Sequence, residues 1–176
     1  APAAAPAMTT ITEVAAQAGW VILGGGIAAL SAATAARAGD AKQRIVLVHR
    51  EPELPYHRLS LTRLLAGEVS RDGLVIHPAA WFAEQRIELV RAEARRIDRE
   101  AHAVVLDDGR RLPYRKLVIA TGAHAFVPPI PGVRRAGVHA LRTLADADAI
   151  LAAAASGSRV LCIGAGLLGL ETAGGL

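Results

Sequence analysis

Two short glycine-rich strings carry most of the chemical information in this chain. The first, Gly24-Gly25-Gly26-Ile27-Ala28-Ala29, follows the apolar run Trp20-Val21-Ile22-Leu23 and opens an alanine-rich stretch. This GxGxxA spacing suits the pyrophosphate of a dinucleotide. Gly24 permits the tight turn, Gly26 lets backbone approach the phosphates with no side chain in the way, and Ala29 is small enough for close helix–strand packing. A helix starting there offers unpaired N–H groups and the positive end of its dipole to the anion. The second string, Gly164-Ala165-Gly166-Leu167-Leu168-Gly169, repeats this grammar after Val160-Leu161-Cys162-Ile163. Gly164, Gly166 and Gly169 are its candidate cofactor contacts. An acid that holds ribose hydroxyls is expected about 20 residues past the first motif, a count that reaches His49-Arg50-Glu51. Glu51 is the candidate, with Arg50 in the more usual acid position; a solvated loop charge is the other reading of Glu51. A nicotinamide dehydrogenase that binds NAD at the first turn is a rival reading of the same residues.

The remaining reactive side chains exclude several chemistries. The six histidines (49, 57, 77, 102, 124 and 139) show no ligand spacing, so they read as surface or loop residues and no metal site is expected. A lone cysteine, Cys162, forbids an internal disulfide and a CxxC pair, and fits a reducing, cytoplasmic setting. It lies in a strand that looks buried. The net charge of +4 comes from scattered arginine pairs with no contiguous basic footprint, which argues against nucleic-acid binding. No apolar run approaches membrane-spanning length. With 52% hydrophobic residues, a packed core is expected, built on Ala, Val, Leu and Ile because aromatics are only 3%.

These strings need elements to hold them. Strands are predicted at residues 20–23 and 45–48, joined by a helix from Ile27 to about Arg37 that ends at Gly39: a βαβ unit. Short helices are predicted over 60–66 and 78–85. Ala94-Arg95-Arg96-Ile97, Ala103-Val104-Val105-Leu106 and the turn signal Asp107-Asp108-Gly109 predict a small antiparallel meander. Leu117-Val118-Ile119-Ala120 reads as a buried strand, Pro128 to Gly132 as a rigid connector, and Thr143 to Ala155 as a helix leading to a strand at 160–163. The expected fold is α/β and Rossmann-like, a parallel sheet plus the meander. Its division is a leader over 1–17, a dinucleotide-binding segment over 18–132, a connector over 133–157 and the start of a second dinucleotide-binding domain over 158–176.

The loop Glu51-Pro52-Glu53-Leu54-Pro55-Tyr56-His57-Arg58-Leu59-Ser60-Leu61-Thr62-Arg63, followed by Ala66-Gly67-Glu68, resembles the flavin-side loop of FAD-dependent pyridine nucleotide-disulfide oxidoreductases. It is most similar to the branch holding ferredoxin and rubredoxin reductases and the NADH-reading part of assimilatory nitrite reductases. Leu117 to Gly122 resembles that family's "LVIATG" segment, Pro128 to Gly132 its connector, and Gly164 to Glu171 its NAD(P)H fingerprint. The resemblance implies FAD at the first turn and NAD(P)H at the second. It assigns Gly24, Gly26 and Ala29 to the FAD pyrophosphate, Arg58 to the pyrophosphate or flavin-side loop, and Ala94 to a backbone contact with adenine. Thr121 and Gly122 bring backbone close to the FAD. Arg63 stands where relatives have a flavin-contacting lysine, although an arginine cannot give up its proton. Glu171 stands where an acid lies near the nicotinamide–flavin contact. Arg58 also reads as a surface arginine, and Glu171 as an ordinary helix glutamate.

The disulfide-reductase branch places a cysteine beside the flavin, and the Tyr56–Thr62 loop has none. The implied reaction is therefore electron transfer from NAD(P)H through FAD to a small carrier protein such as rubredoxin or ferredoxin, or to haem or iron–sulfur centres. A non-catalytic FAD-binding interaction or assembly module is the alternative. The second βα unit stops at Gly174-Gly175-Leu176, so the chain is expected to need the remaining part of the same polypeptide or a complementing chain.

Overall fold

The structure is a computed structural model that describes residues 19–154 and 159–176. The leader expected over 1–17 and the predicted end of a helix at Ala155 lie outside the described residues. Packing divides the chain into two compact units, Ala1–Leu54 with His77–Thr121, and Pro55–Ile76 with Gly122–Leu176.

The first unit is built on a six-stranded sheet in the order β3-β2-β1-β6-β5-β4. Its strands are β1 (Gly19–Leu23), β2 (Ile45–His49), β3 (Ile87–Arg91), β4 (Ala94–Asp98), β5 (Ala103–Leu106) and β6 (Arg111–Ile119). β1 pairs in parallel with β2 on one side and β6 on the other, and β2 pairs in parallel with β3. Helix α1 (Ile27–Gly39) makes the β1-to-β2 crossover and buries Ala29, Leu30, Ala33 and Ala36. Strand period puts Val21, Leu23, Val46 and Val48 on one face, where they form a core with Val104, Leu106 and Leu112 of the meander. The alternating set Ile22, Ile45 and Leu47 is equally buried, and α1 contacts both strands. Coverage of both faces is why β1 and β2 read as unbroken apolar runs.

The meander forms as its sequence signals predict. β4 pairs with β5 and β5 with β6, all antiparallel. Gly109 at φ +84° takes the left-handed position of the connecting turn. The Arg110 backbone N–H donates to Asp108 Oδ1 across that turn, and this holds the Asp108 carboxyl below its usual range. β6 corrects one expectation. Leu117 and Val118 are only partly buried and Ile119 is 63% exposed. One strand serves two pairings: β5 holds it through Pro113, and β1 is its parallel partner from Lys116 to Ile119. The far end is thus half-covered. β3, with its mixed Ile87-Glu88-Leu89-Val90 pattern, and α3 (Arg71–Leu74) lack clear sequence signals and were not predicted. The helix expected over 78–85 is α4 (Ala79–Glu84).

The second unit packs Tyr56, Leu61, Leu65, Leu74, Leu144, Ala147 and Ile150 into a core of its own. Leu61 and Leu65 come from α2 (Leu61–Leu65), which follows a 3-10 turn over Arg58–Ser60. The others on helices come from α3 and α5 (Leu144–Ala154). A reciprocal cap starts α5: the Thr143 backbone N–H donates to Asp146 Oδ2 at 2.7 Å, and the Asp146 N–H donates to Thr143 Oγ1 at 3.2 Å. The buried Tyr56 hydroxyl accepts from the Leu144 N–H at 3.1 Å and from the Arg58 guanidinium at 2.9 Å. Helix α6 (Leu167–Gly174) follows the second glycine string as expected.

The strand predicted over 160–163 does not form, and Leu161 and Ile163 are 84% and 73% exposed. A strand is stabilised only by a partner, and no strand among the described residues pairs with this run. Cys162 is correspondingly exposed, not buried.

Candidate dinucleotide-binding site

The first glycine turn lies at the carboxyl ends of the parallel strands, the end at which open α/β sheets bind ligands. Backbone bonds draw these strand ends together. The Gly24 N–H donates to Val48 O at 2.8 Å, Ala120 N–H to Leu23 O at 2.8 Å, and Ala92 N–H to His49 O at 3.0 Å. The turn, the His49-Arg50-Glu51 segment and Thr121 are thereby gathered at one edge of the first unit. Ala94 lies on β4, opposite Leu106.

The glycines are required for different reasons. Gly24 sits at φ +132°, and a Cβ there would collide with the Ala120 carbonyl. Protein packing alone therefore demands glycine at 24. Gly26 is the N-cap of α1 at φ −96° and ψ −177°, extended backbone open to any residue. A Cβ on it would meet nothing within 4 Å among the described residues. Neither conformation nor packing asks for glycine at 26, whereas an approaching ligand would. Among the described residues no side chain caps α1, and no acid occupies its first turn. The first N–H groups of a 13-residue helix therefore keep their donor capacity and the dipole keeps its positive end. Ala29 is fully buried where helix meets strand. This donor set fits a dinucleotide pyrophosphate.

The second turn repeats the arrangement within the second unit. Gly164 is at φ +120° and Gly166 caps α6 with nothing within 4 Å of an added Cβ. A Cβ on Gly169 would strike the Gly164 carbonyl, so the helix crosses its own turn more closely here than Ala29 allows at the first. The exposed Cys162 Sγ lies 3.3 Å from Gly169 O.

The other candidates are placed as follows. Arg50 is exposed and Glu51 half-buried, directly after β2. Arg58 donates to the Arg142 carbonyl at 2.6 Å and lies over the Tyr56 ring at 4.9 Å. Gly122 is at φ +70°, where an added Cβ would press on the Arg142 guanidinium at 3.3 Å. Arg63 is exposed and pairs with Glu68 at 3.0 Å. Glu171 accepts a hydrogen bond from Thr62 Oγ1 at 2.9 Å.

Two residues escaped the sequence reading. His49 is not a surface or loop residue: it ends β2, half-buried, and a Cβ on Gly25 would lie 3.0 Å from its own Cβ. Its position inside the counted window His49-Arg50-Glu51 was the available signal. Burial holds its imidazole below the ordinary range and Arg91 adds to this, while the Glu51 and Glu53 carboxylates and a backbone hydrogen bond to Glu51 oppose it. Folding thus favours neutral His49. Stability from this source is complete above the unfolded value of about 6.5 and is lost as pH falls below it, with a slope of at most about 1.4 kcal/mol per pH unit. Denaturant melts between pH 7 and 5 should show the loss, and His49→Gln should flatten it. An unchanged slope in the variant would assign the effect elsewhere. Thr62 is the second residue, a polar side chain at a core position of α2.

Among the described residues no group of three or more His, Cys, Asp or Glu is placed to hold a metal ion. No helix among them is long and apolar enough to cross a membrane.

The parallel strands with the glycine turn after β1 define an α/β fold of the Rossmann dinucleotide-binding type. More narrowly, the chain belongs to the pyridine nucleotide-disulphide oxidoreductase family, whose profile matches residues 19–176, and that family uses FAD and NAD(P)H. The ferredoxin--NAD(+) reductase component of the anthranilate 1,2-dioxygenase system from Burkholderia cepacia is 44% identical over 88% of this chain and 38% of its own length. The crystal structure of the ferredoxin reductase for the CYP199A2 system from Rhodopseudomonas palustris superposes with a TM-score of 0.82 at 32% identity, over 88% of this chain and 38% of that one. That of NADH:rubredoxin oxidoreductase from Clostridium acetobutylicum gives 0.80 at 30% identity, over 89% and 41%. The expected branch, ferredoxin and rubredoxin reductases with NAD(P)H-dependent nitrite reductases, is the one these relatives occupy. The chain spans about two fifths of the length of these three relatives.

Proposed function

We propose that this chain is the front part of an FAD-dependent oxidoreductase that passes electrons from NAD(P)H through flavin to a carrier protein of the ferredoxin or rubredoxin kind. The observation that carries the reading is Gly26, a glycine that neither its backbone conformation nor its packing requires, at the uncapped start of α1. FAD, when bound, supplies the redox chemistry, and the protein supplies binding, orientation and electrostatics. The N–H groups after Gly26 hold the pyrophosphate, Glu51 takes ribose hydroxyls, and Ala94 and Thr121 offer backbone to the cofactor. Arg58, Arg63 and Gly122 take their places on the flavin side. Gly164, Gly166 and Gly169 do for NAD(P)H what the first turn does for FAD, and Glu171 stands beside the nicotinamide. In this reading residues 18–132 begin the FAD domain, 133–157 connect, and 158–176 begin the NAD(P)H domain. A reducing, cytoplasmic setting suits a protein with a single cysteine.

The test is anaerobic spectroscopy on the protein that carries this chain as its front part. NADH or NADPH should bleach the bound flavin, and oxidised ferredoxin or rubredoxin should restore its absorption. Flavin that is bound but left oxidised by both nucleotides would sink the reductase reading in favour of a non-catalytic module.

A further inference from the structure

Thr62 is 4% exposed and lies on α2 between Leu61 and Leu65 of the second unit's core. A hydroxyl in such a place costs stability unless it is hydrogen-bonded. Helical threonines usually satisfy it on the carbonyl one turn back. Thr62 does otherwise, donating across the packing interface to Glu171 Oε2 on α6 at 2.9 Å. The approach of the two helices is built in. A Cβ on Gly175, just past the end of α6, would come within 3.1 Å of the Ala66 backbone nitrogen at the end of α2. Glycine there lets α6 settle close enough for the carboxylate to reach the hydroxyl. The neighbouring cation takes no part in this contact, because Arg63 is turned to solvent and paired with Glu68.

We propose that Thr62 is the positioning residue for the Glu171 carboxylate, fixing the direction in which it is presented to the nicotinamide. The proposal rests on the NAD(P)H reading of the second glycine turn. Valine has nearly the shape of threonine without the hydroxyl, and serine keeps the hydroxyl without the methyl, so Thr62→Val and Thr62→Ser separate hydrogen bonding from packing.

The experiment uses the protein that carries this chain as its front part, with 13C-labelled glutamate carboxyls and NADH as the probe. The Glu171 resonance is assigned by its loss in Glu171→Gln, and far-UV circular dichroism verifies that each variant folds. In wild type and Thr62→Ser the resonance should stand apart from those of glutamates that accept no side-chain hydrogen bond, and in Thr62→Val it should join them. NADH affinity should fall on the order of tenfold in Thr62→Val and stay within about twofold in Thr62→Ser, as expected where a contact group loses its orientation. A Glu171 resonance unmoved by Thr62→Val overturns the hydrogen bond. A moved resonance with unchanged NADH affinity overturns the positioning role. If wild type fails to bind NADH at all, the reading of the second turn falls and takes that role with it, while the carboxyl spectra still report the hydrogen bond separately.

Discussion

Gly24→Ala should be strongly destabilised, whereas Gly26→Ser, two positions along, should fold normally and lose the cofactor. At 24 the added Cβ meets the Ala120 carbonyl on a backbone held at φ +132°. Relief would require β1 and β6 to move apart, breaking the Ala120-to-Leu23 hydrogen bond. A left-handed conformation denied to alanine together with a backbone collision costs at least about 3 kcal/mol, a large share of a domain's stability. At 26 the conformation is extended and the space is open. Serine is moreover a good N-cap, so stability should stay within about 0.5 kcal/mol of wild type or rise. Its side chain would nevertheless stand where the pyrophosphate approaches, and FAD affinity should fall about a hundredfold, equivalent to ~2.7 kcal/mol. Thermal melts and flavin-fluorescence titrations separate the two effects. A Gly26→Ser protein that binds FAD like wild type would mean that this glycine serves no ligand.

Arg37→Ala should cost more stability than truncation of an ordinary surface arginine. This guanidinium is a staple for carbonyls that no helix or strand satisfies. It donates from Nε to Gln85 O at 2.7 Å, from Nη1 to Asp40, Ala41 and Gln43 O at 3.2, 3.0 and 2.8 Å, and from Nη2 to Arg86 O at 2.7 Å. It thereby ties the chain leaving α1 to the chain leaving α4, where Arg86 is strained at φ +50°. Several of these carbonyls border solvent and would recover water, so about 2 kcal/mol is expected rather than the sum of five bonds. That corresponds to a fall in melting temperature of roughly 5 °C. Arg37→Lys should recover little, since an ammonium cannot fork across carbonyls on opposite sides. A Lys variant as stable as wild type would show that charge, not the fork, matters.

Much of the first unit was legible in the sequence because its signals are local. An apolar run, a glycine turn, an alanine helix and a second apolar run specify β1, α1 and β2 within one stretch, and Asp107-Asp108-Gly109 specifies the meander turn. β3 was not legible, because Glu88 breaks the apolar pattern on a strand that, among the described residues, pairs with β2 alone. The run at 160–163 shows the opposite failure. Its residues are those of a buried strand, yet strand formation depends on a partner that composition cannot supply. For the candidate site, the glycines were readable from spacing, but the different demands on Gly24 and Gly26 became visible only with Ala120 in place. His49 and Thr62 owe their interest to burial and to partners distant in sequence, which a linear pattern does not encode. Arg37 likewise looks like an ordinary arginine near the end of a helix until the carbonyls of Gln85 and Arg86 are brought to it.

The most direct test of the central claim is an amide NMR titration of the uniformly 15N-labelled chain with FAD. If the start of α1 grips the pyrophosphate, the largest shifts should fall on the backbone N–H groups of Gly25, Gly26, Ile27 and Ala28, and Gly26→Ser should abolish them. Saturable FAD binding that leaves those four amides unmoved would contradict the account.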